Sequence, residues 1–197
     1  MRETCDTLLV AATGAVAVLQ LPHYLKHLRA TLAGTVRVML SPGACRFITP
    51  YAAGLYADGP VYTDLYQQEE ARVPHVELPR QADLFVVMPA TAHVLARCAH
   101  GLCDGLVTTA VLASPRPVVF VPSMNEAMWT APATRRNVAQ LRADGHTVIE
   151  PRVGLELADM TPTFGVMPTA PKLVPLLQQV LAERRAQAGG DRAHGAS

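Results

Sequence analysis

"DTLLVAATGAV", residues 6–16, opens on a short apolar run and breaks at a Thr-Gly pair. A continuous apolar run of this length is the mark of a strand buried on both faces. Thr13 and Gly14 stand where such a strand turns into a helix. A glycine there lets another backbone or a ligand come close, and free amides at a helix start favour a phosphate. Read alone, the pair is first the geometric glycine of a βα turn.

The same alternation continues outward. Residues 15–34 read as helix, delimited or kinked near Pro22 and stopped at Gly34; "TVRVML" (35–40) reads as a strand. "SPGACRFITP" (41–50) opens with a Ser-Pro start signal for a short helix, and the Ser41 hydroxyl is a second candidate donor to a phosphate. "HVELPRQADLFVVMPA" (75–90) reads as two extended pieces around a short turn. Helix over 91–102, strand over 117–122, mostly helix over 125–145, strand over 146–151 and an amphipathic helix over 170–187 follow. Strands alternating with helices predict an α/β fold, a doubly wound parallel sheet in a single domain over 1–183, with 184–197 as a mobile tail. Ligands of such sheets sit beyond the carboxyl ends of the strands, here near 12–15, 41–44, 88–92 and 122–125.

The chain has 197 residues and a formal net charge of +1. That near-neutral balance removes the electrostatic footprint of a nucleic-acid binder, and the scarcity of aromatics removes a stacking platform. Cys5, Cys45, Cys98 and Cys103 form no CxxC pair, so no metal site is expected; free thiols fit a reducing cytoplasm. The apolar run at 7–21 has acidic Glu3 and Asp6 in its head and a Thr-Gly break, unlike a signal peptide. No run reaches the roughly 18 apolar residues of a membrane span. GxGxxG and GxxxxGK are both absent, so a bound phosphate belongs to something smaller than NAD.

"PSMNEAMW" (122–129) is the other unusual stretch, since it surrounds one amide with large soft apolar groups at a strand end. Pro122, Met124, Asn125, Met128 and Trp129 match a "PxMNxxMW" motif, preceded in order by His75 and by "PATAHV" (89–94) in place of "PASANT". On these residues the chain resembles the homo-oligomeric flavin-containing cysteine decarboxylases, over about residues 6–170. That family includes phosphopantothenoylcysteine decarboxylases and enzymes acting on the C-terminal cysteine of lantibiotic and related precursor peptides.

The resemblance implies FMN, a flavodoxin-like (Rossmannoid) fold and a trimer that can build a dodecamer, with the flavin at a subunit contact. It implies that Thr13, Gly14, Ser41, Phe47, Pro89, Ala90, Thr91, Asp104 and Thr108 hold FMN. It implies His75 as the catalytic base and Asn125 as the amide that reads the substrate. Met124, Met128, Trp129, Met160 and Met167 complete the substrate site. His93, Val94 and Gly105 depart from the family's Asn, Thr and Asn.

In this chemistry, oxidation of the Cβ–SH to a thioaldehyde creates a sink for the carbanion left by CO2, and the product is an enethiol. The coenzyme A branch carries a Cys near the C-terminus that reduces the enethiol back to a thiol. Here the matching segment "LADMTPTFGVMPTA" (157–170) has none, and Asp159, Met160 or Thr161 stands in its place. The expected substrate is therefore a precursor peptide with a C-terminal Cys, clamped by 153–168. The alternatives are phosphopantothenoylcysteine, or a non-catalytic flavin-binding regulatory subunit.

Overall fold

The computed structural model describes residues 4–155 and 160–194. In chain order these residues form β1 (Cys5–Ala12), α1 (Leu21–Thr31), β2 (Ala33–Leu40), α2 (Pro50–Gly54), β3 (Val61–Tyr62), α3 (Pro74–Gln81), β4 (Leu84–Ala90) and α4 (Ala92–Ala99). Then come α5 (Leu106–Leu112), β5 (Val119–Pro122), α6 (Glu126–Thr130), α7 (Pro132–Ala143), β6 (Thr147–Val148), β7 (Arg152–Leu155), β8 (Pro162–Val166) and α8 (Ala170–His194). Six strands make one parallel sheet in the order β3-β2-β1-β4-β5-β6. With the two-residue edge strand β3 set aside, the order is that of a flavodoxin-like sheet, whose direction of winding reverses between β1 and β4.

The apolar runs produce two core layers, because successive strand residues face opposite sides. Leu8, Val10 and Ala12 of β1, with Leu84, Val86 and Met88 of β4, pack under α1 and α8. Leu9, Ala11, Phe85, Val87 and Phe120 face the layer that holds α4, α5 and α7. Most of these residues are fully buried, as strands covered on both faces require.

Four local expectations change. α1 stops at Thr31, whose hydroxyl donates back to the His27 carbonyl at 2.7 Å. Gly34 is thus no helix stop: it lies within β2, where a Cβ would stand 3.3 Å from the Asp6 carbonyl oxygen of β1. Residues 74–81 are helix and not an extended piece, despite Pro79 inside it. Pro74 presets the first turn, Glu77 reaches back to accept from the Val73 amide at 2.8 Å, and buried Leu78 and Pro79 anchor the helix. The segment expected to clamp the peptide, 153–168, is over its described residues largely the antiparallel hairpin β7–β8 and not an irregular loop. Finally, α8 runs through to His194, so the residues of tail composition continue the last helix. No helix among the described residues is long and apolar enough to cross a membrane.

Candidate active site

A cavity of about 420 Å³ opens at the carboxyl ends of β1, β2 and β4, at the switch point of the sheet. Thr13 begins it. This residue is 4% exposed; its hydroxyl donates to the Pro89 carbonyl at 2.6 Å and accepts from the Thr91 amide at 3.1 Å. One side chain thereby locks the ends of β1 and β4 together. Gly14 and Gly43 then meet backbone to backbone: a Cβ on Gly14 would lie 2.9 Å from the Gly43 carbonyl carbon. The amides of Gly14 and Gly43 donate to no protein acceptor among the described residues. Ser41 Oγ accepts from the Ala44 amide at 3.2 Å, which leaves its O–H proton to donate outward. Thr91 Oγ1 caps α4 by accepting from the Val94 amide at 3.2 Å.

The remaining walls come from α4 and from residues 104–108, including Asp104 and Thr108. Thr108 turns its hydroxyl to the Gly105 carbonyl at 3.0 Å. Arg97 donates from Nε to His93 Nε2 at 2.7 Å and from Nη1 to Asp104 Oδ2. Together the cavity offers free amides and hydroxyls at its glycine end and a polar wall beyond, the donor set of a pocket for a phosphate-bearing ligand.

Of the residues expected to hold a cofactor, Thr13, Gly14, Ser41, Thr91, Asp104 and Thr108 line this cavity. Pro89 and Ala90 are buried in β4 behind it, Pro89 contributing its carbonyl to Thr13. Phe47 is 41% exposed and lies outside the lining. Gly43 and Arg97 are lining residues that the sequence reading passed over. Gly43 was visible in "SPGA", and Arg97 stands one helical turn after His93.

The "PSMNEAMW" loop leaves the end of β5 next to the hairpin. The Ser123 amide donates to the Ala90 carbonyl at 3.0 Å and the Met124 amide to the Gly165 carbonyl of β8 at 3.1 Å. Gly165 has φ +132, and a Cβ there would fall 2.1 Å from the Met124 carbonyl oxygen. Only glycine permits that approach. Asn125 is the N-cap of α6: its Oδ1 accepts from the Met128 amide at 2.9 Å, so its NH2 end is left to donate. Trp129, 2% exposed, is a core residue among Val94, Leu95 and Leu141 and anchors the loop from beneath. Met124 is half-buried against the same layer and Met128 is 47% exposed. Met160 is exposed beside the hairpin, whereas Met167 is buried in the opposite core layer. Asp159 lies outside the described residues.

His75 is the second residue of α3, outside the cavity lining, and its buried Nδ1 has no hydrogen-bond partner among the described residues. All four cysteines are free; burial pushes the Cys5 and Cys98 thiols up to about 12, so neither supplies a thiolate near neutral pH.

Comparison with known proteins agrees with this geometry. The coenzyme A biosynthesis bifunctional protein CoaBC of Mycobacterium tuberculosis is 42% identical over 146 residues, 74% of this chain and 34% of its own. The chain thus spans about a third of that relative's length. Mersacidin decarboxylase of a Bacillus species is 35% identical over 144 residues, covering 73% of each chain. The structure of TvaF, an FMN-dependent cysteine decarboxylase from thioviridamide biosynthesis, superposes with a TM-score of 0.70 at 38% identity, over 74% of this chain and 90% of that one. A Flavoprotein family model matches residues 2–182, from the first strand into the last helix. With that span matched and the pocket built at the switch point, the chain belongs to the Flavoprotein family.

Proposed function

We propose that this chain is an FMN-dependent decarboxylase of the C-terminal cysteine of a ribosomally made precursor peptide, acting in the cytoplasm. The observation that carries the reading is the junction of the "PSMNEAMW" loop with β8. It leaves the Asn125 NH2 group to donate beside β8, in a stretch of sequence, 157–170, that contains no thiol. TvaF and mersacidin decarboxylase, similar over most of their own lengths, support cysteine decarboxylation.

The cavity fits FMN. The Gly14 and Gly43 amides and the Ser41 hydroxyl suit its phosphate, in a cradle that a Cβ on Gly14 would fill. Residues of α4 and 104–108, which wall the cavity, would hold the rest of the cofactor. When bound, FMN supplies the two-electron oxidant that converts the cysteine side chain into an electron sink.

The chain's own residues do the rest. His75 takes the thiol proton on its imidazole, a side chain able both to accept and to return a proton. Asn125 donates from Nδ2 to the peptide's terminal carboxylate or backbone carbonyl, held in that orientation by the Met128 amide. Met124 and Met128 keep the surroundings of that contact apolar, which strengthens it. With two electrons and two protons removed and CO2 lost, –NH–CH(COO⁻)–CH2–SH becomes the enethiolate –NH–CH=CH–S⁻, which takes back one proton to give –NH–CH=CH–SH. No residue of 157–170 offers a thiol to reduce this enethiol, so it leaves as product, ready to form an S-aminovinyl-cysteine ring.

His75 stands outside the cavity of its own chain, so we infer a homo-oligomer, a trimer able to build a dodecamer, that brings it to the flavin of a neighbour. Tyr51, Leu55 and Tyr66, 78%, 63% and 84% exposed, supply apolar surface for such a contact. The 42% identity to CoaBC favours a second reading, decarboxylation of phosphopantothenoylcysteine. Incubation with Cys-terminated peptides and, separately, with phosphopantothenoylcysteine decides between them. Mass spectrometry should show loss of CO2 plus two hydrogens from a peptide. Loss of CO2 alone from phosphopantothenoylcysteine would overturn the peptide reading, and protein with no flavin absorbance would overturn the cofactor.

A further inference from the structure

His93 departs from the asparagine of the family motif, yet it is not idle. His93 and Arg97 sit four residues apart on α4, hence on one face, and both line the cavity. Arg97 reaches His93 Nε2 with its Nε at 2.7 Å and pairs with Asp104 through Nη1. His93 is therefore the acceptor in this contact, through Nε2. Two acceptors fix the guanidinium from two directions. Its Nη2 has no acceptor among the described residues, and Arg97 lines the cavity. Thr91, the cap of α4, is tied to Thr13 beside the glycine loops; Arg97 stands six residues on, about 9 Å further along the helix axis. The guanidinium, bonded to His93 and Asp104, thus belongs to the wall formed by α4 and residues 104–108 and not to the glycine loops.

We propose that Arg97 is a cofactor-contacting residue oriented by His93 and Asp104, and that the balance of the Arg97 and Asp104 charges sets how strongly the cavity prefers the reduced, negatively charged cofactor. The inference rests on the FMN reading above. A cation beside an anionic ligand stabilises it and a carboxylate destabilises it. With both present the two largely cancel; with one removed the other acts alone. Arg97 and Asp104 are 30% and 53% exposed in their side chains, so water screens each and the effect is moderate. A latch with a purely structural role predicts something else, namely that loss of either partner weakens oxidised and reduced FMN alike.

The test is the reduction potential of FMN bound to the full chain, with FMN affinity measured alongside. Arg97→Met leaves Asp104 uncompensated and should disfavour the reduced form about tenfold, a shift of about 30 mV to more negative potential for a two-electron couple. Asp104→Asn leaves Arg97 uncompensated and should shift the potential by a similar amount the other way. Arg97→Lys keeps the charge and should stay within about threefold of wild type, which guards against a Met variant that fails to fold. His93→Gln, which keeps an acceptor, should match wild type, while His93→Ala should move partway toward Arg97→Met. Shifts of the same sign in Arg97→Met and Asp104→Asn, or no shift in either, overturn the inference and leave the cofactor reading standing. Wild-type protein that binds no FMN removes the cofactor reading itself.

Discussion

At the cavity, strand ends are joined by main chain and short hydroxyls: Thr13 to Pro89 and Thr91, Gly14 against Gly43, Ser41 to the Ala44 amide. At the "PSMNEAMW" loop the joints are different. A buried indole holds the loop from below, one amide side chain caps α6, and a glycine of a separate hairpin closes on the Met124 backbone from above. The first region has everything it needs within one sheet edge. The second depends on a hairpin that joins no other strand among the described residues, and His75, its proposed partner, lies outside the cavity lining. On the proposed function, binding is built into the sheet, and chemistry is brought to it by parts attached from outside. The two should come apart under mutation.

The largest separation is expected at His75. His75→Asn should lower decarboxylation by about 10²–10⁴-fold, the range of a lost general base, while the purified protein keeps its flavin absorbance. Equal loss of flavin and turnover would place His75 in the binding region after all. Gly165→Ala comes next. Its Cβ would stand 2.1 Å from the Met124 carbonyl oxygen at φ +132, so the hairpin must move. Urea denaturation should show a loss of about 2–3 kcal/mol, or β8 should detach with turnover lost and FMN retained. On the other side of the comparison, Gly14→Ala forces a Cβ to 2.9 Å from the Gly43 backbone, which has no flexible end to give way. FMN titration by fluorescence should show affinity weakened by about 10–100-fold, with the Asn125 region unaffected.

The same contrast explains what the sequence disclosed. The continuous apolar run before Thr13 marked β1 because both its faces are covered, and the glycine loop after it needed only local chemistry to be recognised. α3 was hidden because Pro79 inside a helix removes an amide and crowds the preceding turn. Its helicity comes from the Pro74 start, the Glu77–Val73 contact and burial against the sheet, and the last of these is tertiary. The hairpin was hidden for a related reason: Pro162 and two glycines argue against strands. Gly154 and Gly165 are there because Val166 and the Met124 backbone occupy the space of a Cβ. The motif residues disclosed chemistry but not position. Trp129 and Met167 read as site residues by type, and their places in the two core layers are set by contacts far away in sequence.

Asn125 gives the smallest and most selective test, because its two ends serve different purposes. Oδ1 caps α6 and Nδ2 is free to donate. Asn125→Ala removes both, and should cost about 1 kcal/mol of stability in addition to turnover. Asn125→Asp keeps a capping oxygen, and a carboxylate near a helix start is favourable, so stability should stay within about 0.5 kcal/mol of wild type. It nonetheless replaces a donor with an acceptor of negative charge, facing the carboxylate end of the proposed substrate. Turnover of a Cys-terminated peptide should then fall about tenfold or more, mostly through weaker peptide binding, with FMN affinity unchanged. An Asp variant with normal turnover would mean that the amide's only task is the cap, and that the loop is there to hold the hairpin and not to read the substrate.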